Sequence, residues 1–166
     1  MRTALFLEGP SGPLFAYHRR PAGPVRGAVL LVPPFAEELN KSRRMLSLAA
    51  EALCAAGYAS LLLDLYGTGD SAGDFGAADW DGWCADLSAG ADWLAAQGTP
   101  VAAVLALRNG ALLAGSWLQR QPRPLTHLLL WQAVTKGDNH LTQFLRLRSM
   151  AAKLQGREEP VKDLKA

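Results

Sequence analysis

A strand that runs straight into a helix is the tightest constraint in this sequence. The stretch is Pro100-Val-Ala-Ala-Val-Leu-Ala-Leu-Arg-Asn-Gly-Ala-Leu-Leu-Ala-Gly115. Its first part, Val101 to Leu105, is a short β-rich apolar run, and an apolar helical run begins near Gly110 with no loop between them. The residue at such a junction sits in a strained turn above the sheet and projects its side chain outward. Here that tip is Arg108, followed by Asn109. A guanidinium stays protonated and cannot serve as an oxygen nucleophile.

The flanking segments read as alternating strands and helices. Residues 4–8 and 13–19 form a hairpin around Gly9-Pro-Ser-Gly-Pro13. Ala28-Val-Leu-Leu-Val32 is a continuous apolar run, as expected for a strand covered on both faces. It stops at Pro33-Pro34, and Phe35 to Lys41 reads as a loop carrying Glu37, Glu38, Asn40 and Lys41. A helix is expected from about Ser42, with Met45, Leu48, Ala49, Ala52, Leu53 and Ala56 on its apolar stripe and Gly57 ending it. Ala59 to Leu63 is a second buried strand, leading into the glycine- and acid-rich loop Asp64–Asp74. The next helix starts near Ala78, with Trp80, Trp83, Leu87, Ala91 and Leu94 on one side. After the junction, Ala111, Leu112, Leu113, Trp117 and Leu118 predict a central buried helix, and Leu125 to Ala133 a further strand, buried over Leu128 to Trp131. The pattern argues for a mainly parallel α/β sheet with helices on both faces. Ligands in such sheets bind at the carboxyl ends of the strands.

Composition narrows the function classes. A chain of 166 residues with 49% hydrophobic and 19% charged content is expected to form one soluble domain with a real core. A net charge of +2 gives no support for nucleic-acid binding. Cys54 and Cys84 fall in helical patterns without metal-ligand spacing and read as small buried hydrophobes. The Asp64–Asp74 loop lacks the G-K-[ST] ending of a phosphate loop. No metal or cofactor is expected. The first residues lack a signal peptide and no stretch is long enough to span a membrane, so a cytoplasmic location is the default expectation.

The strand–helix junction has the outline of a nucleophile elbow, whose enzyme pattern is G-x-S-x-G. This chain reads Ala106-Leu107-Arg108-Asn109-Gly110. Arg108 could grip a carboxylate or phosphate through its planar fork, or pair with Glu37, Glu38 or Asp64 and pin the loops. The Asn109 amide and the amides of the Phe35–Ala36 turn would be the remnant of an oxyanion hole. Adjacent acids in an extended segment point to opposite sides, so one of Glu37 and Glu38 would face inward. Trp131, at the end of its strand, is the tryptophan placed to line a pocket. Arg108, Asn109, Phe35, Ala36, Glu37 and Trp131 are therefore the candidate ligand-binding residues, for a small acidic or acyl ligand. A serine triad is hard to assemble: Ser71 reads as turn chemistry, Ser116 lies well down a buried helix, and of His18, His127 and His140 only the last could reach the site.

Beyond the junction, Gly137-Asp138 signals the start of a basic amphipathic helix. Leu141, Phe144, Leu145, Leu147, Ala151 and Leu154 make its apolar side, with Arg146, Arg148, Lys153 and Arg157 charged; residues 156–166 should fray. A lid over the site is favoured for residues 138–155 over a membrane-surface role.

With these pieces in order, the chain resembles the α/β-hydrolase fold and, more narrowly, the exosortase A system-associated hydrolase 2 family. The residues that carry the likeness are Pro34-Phe-Ala-Glu-Glu-Leu-Asn-Lys-Ser-Arg-Arg-Met45, Asp64-Leu-Tyr-Gly-Thr-Gly-Asp-Ser-Ala-Gly-Asp-Phe-Gly76, Leu107-Arg108 and His140-Leu-Thr-Gln-Phe-Leu-Arg-Leu-Arg148. That resemblance implies a bacterial hydrolase or acyl-transfer enzyme linked to PEP-CTERM protein sorting and exopolysaccharide, with the nucleophile serine replaced by Arg108. The alternative is a non-catalytic binding protein on the same scaffold. Residues 1–134 would be the core and residues 135–166 the lid and tail. Only 166 − 134 = 32 residues follow Val134, so the sheet is expected to lack its last strands, where triad acid and base normally lie.

Overall fold

The computed structural model describes residues 1–157, apart from the side chains of Phe144 and Arg148. It divides into two compact units, Met1–Ala133 and a second opening at Val134.

In the first unit, β1 (Arg2–Gly9) and β2 (Gly12–Arg19) form the expected antiparallel hairpin, closed by Gly9 opposite Gly12. β3 (Ala28–Val32), β4 (Ala59–Leu63), β5 (Val101–Leu107) and β6 (His127–Trp131) complete one six-stranded sheet in the order β1-β2-β4-β3-β5-β6. The hairpin and its junction with β4 are antiparallel, and all other pairings are parallel. This is the mainly parallel α/β-hydrolase-type sheet that the alternation of elements predicts.

Helices cover both faces of its centre. On one face, Val29, Leu31, Leu62 and Leu105 pack with Leu46 and Ala50 of α1 (Glu37–Ala55). On the other, Leu30, Val32, Leu61, Leu63 and Val104 pack with residues of α2 (Trp80–Ala96) and α3 (Gly110–Arg120), including Leu87, Leu94, Leu113 and Trp117. Successive strand residues point to opposite faces, so a strand covered twice must be apolar at every position. β3 is, and all five of its residues are buried. Each fully buried leucine contributes about 1.5–3 kcal/mol.

Three expectations need correction. α1 begins at Glu37, so the polar Phe35–Lys41 stretch is a loop only up to Ala36. Its buried face is Leu39, Ser42, Leu46 and Ala50, while Met45 and Leu48 of the expected stripe are exposed. A serine occupies the core side because its hydroxyl donates to the Glu38 and Leu39 carbonyls, at 2.7 and 3.1 Å. The expectation of a buried β6 is also corrected: every residue of this edge strand is exposed, its side-chain faces lacking the helical cover that β3 has.

The remaining helix boundaries follow local chemistry. Asp79 caps α2 by accepting from the Gly82 amide at 2.6 Å, preceded by a 3-10 turn at Phe75–Ala77. Gly57, at φ +88°, follows the end of α1, as expected of a helix-terminating glycine.

The second unit contains α4 (Gly137–Leu154). Lys136 precedes it, and Asp138 of the expected Gly137-Asp138 start stands within its first turn. Its buried positions are Leu145, Ser149 and Ala152; Leu141, Leu147, Ala151 and Leu154 of the expected apolar side are exposed. Residues 158–166 of the tail expected to fray lie outside the described residues. Among the described residues no helix is long and apolar enough to cross a membrane.

Candidate functional site

The carboxyl ends of the parallel strands gather the Pro33–Ala36 turn, the Asp64–Asp74 loop, Arg108-Asn109 and Trp131. At the end of β5, Arg108 has φ +55°, a left-handed conformation that non-glycine residues seldom adopt. Its amide donates to the Trp131 carbonyl at 3.0 Å, so the apex is tied to β6. Two small residues make the tight turn. Ala106 is fully buried opposite Val32, and a Cβ at Gly110 would stand 2.6 Å from the carbonyl oxygens of both Val32 and Pro33. Only a glycine allows α3 to start so close to the end of β3.

The facing turn is strained as well. Ala36 has φ +56° and ψ −138°, in a region that belongs essentially to glycine and costs about 1–3 kcal/mol. A cross-link holds it near Arg108: the Phe35 amide donates to Asn109 Oδ1 at 3.2 Å, and Asn109 is buried. In α/β-hydrolases an amide from this loop helps to stabilise the oxyanion. Here the side chain next to the apex accepts from the Phe35 amide, which the backbone-only reading of an oxyanion-hole remnant did not anticipate.

Of the three acids weighed as partners of Arg108, the geometry selects Glu38. Arg108 Nε and Nη2 both donate to Glu38 Oε1, at 3.2 and 3.1 Å. This is a fork on one oxygen; among the described residues, the buried Glu38 Oε2 has no partner. Both side chains are about one-third exposed, 36% for Arg108 and 34% for Glu38. Glu37 turns instead to Lys41 at 3.1 Å and is 68% exposed. The premise of an extended Glu37-Glu38 segment is corrected, since both stand in the first turn of α1, where acids favour the helix dipole. Asp64 is buried and committed elsewhere, accepting from Arg43 Nη2 at 2.8 Å and from the Asp70 amide at 3.0 Å. A Cβ at Gly69 would collide with that carboxylate and with Arg43, so glycine is required there.

The other candidates are placed as follows. Phe35 packs in an aromatic group, its ring 5.2 Å from Trp83 and 6.3 Å from Phe75. Phe75 is a member that sequence reasoning missed, because its short turn has no periodic pattern. Trp131 is partly exposed at the end of β6, beside the apex through its carbonyl. Ser71, read as turn chemistry, instead ties its loop to the sheet: it accepts from the Phe15 amide at 2.8 Å and donates to the Asp64 carbonyl at 2.6 Å. His18 is buried edge-on against Trp93, with ring centroids 5.0 Å apart. Burial first, then the charges of Arg20 and the N-terminal amine, hold its pKa below the usual value, so it is a neutral core residue. His127 is exposed at the start of β6, against the Thr126 hydroxyl, and His140 belongs to the second unit. Among the described residues, no group of His, Cys, Asp or Glu is arranged to hold a metal ion.

Known proteins extend this picture. None of the curated proteins matches the sequence. A lidless α/β serine hydrolase from Xanthomonas campestris is similar in structure, with a TM-score of 0.64 and 24% identity over 78% of this chain and 69% of its own. An α/β serine hydrolase homologue from Coxiella burnetii gives 0.65 and 20%, over 77% of this chain and 61% of its own. Est1E from Butyrivibrio proteoclasticus, solved with ferulic acid, gives 0.61 and 22%, over 75% of this chain and 51% of its own. At these identities the likeness shows the fold, and the chain spans 51% to 69% of the length of these three. Residues 23–162 match the family described as serine aminopeptidase, S33. That match runs from the loop before β3 through α4, and with the α/β-hydrolase sheet around it, the chain belongs to the S33 family of α/β-hydrolases.

Proposed function

We propose that the apex of this hydrolase scaffold is a carboxylate-binding site, with Arg108 standing where the fold normally carries its nucleophile. One observation carries the reading: Arg108 holds a single oxygen of a half-open glutamate, with both of its donating nitrogens on Glu38 Oε1. A ligand carboxylate offering two oxygens would satisfy the guanidinium fork better than this arrangement does. Glu38 then acts as an internal stand-in that keeps the cation paired until a ligand acid replaces it. Phe35, Ala36, Asn109 and Trp131 would frame the ligand, and Glu37 would remain on the solvent side.

A second reading is an ester or acyl-transfer hydrolase, for which the family match speaks; its link to the exosortase system rests on the resemblance of the long sequence motifs alone. It requires a nucleophile and a general base other than these, since Arg108 cannot attack, the Ser71 hydroxyl is engaged by Phe15 and Asp64, and His18 is buried on β2.

A p-nitrophenyl ester screen and a thermal-shift titration with succinate separate the two. Binding predicts no turnover above background and a succinate-dependent rise in Tm that disappears in Arg108→Ala. Turnover that survives Arg108→Ala, or a succinate response that does, overturns the carboxylate site.

A further inference from the structure

At the opposite end of the sheet, we infer a second anion site, built from Arg2, Arg19 and Arg20, for a phosphate-bearing small molecule. Arg2 and Arg19 face one another across the start of β1 and the end of β2, and Arg19 pairs with Ser60 at the start of β4. They therefore stand at the amino end of the parallel strands, whereas Arg108 stands at the carboxyl end. A cavity of about 530 Å³ opens there, walled by the loop 21–24 and by the end of α1 with Glu51 and Cys54. That volume lies in the range of small-molecule sites.

The charges in the cavity do not balance. Arg2 Nη2 reaches Glu51 Oε1 at 3.2 Å, and Arg19 Nη2 lies 3.6 Å from Glu51 Oε2. Arg20 lines the same cavity and takes part in neither pair. Three guanidinium groups and the N-terminal ammonium of Met1, which donates to the Arg20 carbonyl at 2.6 Å, face one carboxylate, an excess of positive charge suited to a phosphate monoester.

Arg19 makes this a built site. It is only 5% exposed, its guanidinium is held over the Tyr17 ring at 5.5 Å, and its buried Nε has no partner among the described residues. A buried charged group with incomplete partners is costly, and a phosphate replacing Glu51 beside Arg19 Nη2 would give this guanidinium a stronger partner. Glu51 is half exposed and shared between two arginines, so it can swing to solvent when an anion enters.

Isothermal titration of the full chain with inorganic phosphate, and with glycerol 3-phosphate, against chloride at equal ionic strength tests this assignment. The expected result is saturable binding that weakens roughly tenfold or more in Arg20→Ala, whose side chain is partly exposed, so that its loss spares the fold. Glu51→Gln should tighten binding by removing the internal competitor, and the Arg20-dependent component of binding should persist in Arg108→Ala. Flotation with vesicles carrying phosphatidic acid distinguishes the source: Arg20-dependent flotation assigns a lipid headgroup, and soluble binding without flotation assigns a free phosphate ester. No phosphate binding beyond the chloride control overturns the site. So does binding that is indifferent to Arg20→Ala, or that is lost in Arg108→Ala while Arg20→Ala retains it.

Discussion

β3 and β6 are the two neighbours of β5, and in sequence they are nearly interchangeable: Ala-Val-Leu-Leu-Val against His-Leu-Leu-Leu-Trp. Their environments are opposite. Every residue of β3 is buried, and every residue of β6 is exposed, with Leu128, Leu129 and Leu130 each about half uncovered. An apolar run reports that a segment pairs as a strand. How many faces are covered depends on which helices dock on it, which is a property of the rest of the chain. The same leucine therefore carries very different weight on the two sides of β5.

The largest effect should come from removing matched side chains. Leu30→Ala on β3 should destabilise by about 2–5 kcal/mol through the cavity it leaves. Leu129→Ala on β6 should cost less than about 1 kcal/mol. Urea unfolding of the two variants measures the contrast, and equal losses would break it.

Next in size is a pair of glycines on α3. Gly110→Ala drives a methyl into the Val32 and Pro33 carbonyls and should cost about 1–3 kcal/mol. Gly115→Ala meets nothing within 4 Å and should be neutral or stabilising by up to about 1 kcal/mol. Only the end that abuts β3 is intolerant, and thermal unfolding distinguishes the two.

A smaller, pH-dependent effect lies in the cover of the β3 side. Asp86 on α2 is buried, accepts from the Tyr66 amide at 2.8 Å, and has its pKa raised by that burial. The folded state thus holds this proton more tightly than the unfolded chain. Its contribution is full below the ordinary carboxylate pKa and is lost as pH rises through the folded value. Asp86→Asn, which keeps an acceptor for the Tyr66 amide, should gain stability relative to the parent as pH rises from 4 toward 7, and a pH series of Tm values checks the sign.

The smallest change in folding should accompany Leu129→Lys. Its unfolding free energy should shift by about 0.5 kcal/mol or less, while light scattering should fall because a charge blunts an apolar edge.

Much of the fold is legible locally. The hairpin is announced by Gly9 to Pro13, β3 and β4 by unbroken apolar runs, and the tight apex by a strand that meets Gly110 without a spacer. The start of α1 is hidden because Ala36 is no capping residue, and because Ser42, which looks like the solvent side, returns its hydroxyl to the helix backbone. The choice of Glu38 over Glu37 follows from that helical start, since successive helical residues are turned by about 100° around the axis and do not lie on opposite sides as in a strand. The bond from Phe35 to Asn109 joins positions 74 residues apart, and no local pattern records it.

That bond sets the terms on which this scaffold could be engineered into an esterase. Placing a hydroxyl at position 108 would supply an attacking group, yet the Phe35 N–H would still be held by its neighbour's carboxamide instead of awaiting a developing negative charge. Besides the general base that such a catalyst also needs, the route passes through two adjacent codons, and changing position 109 first would open the donor before any nucleophile exists to use it.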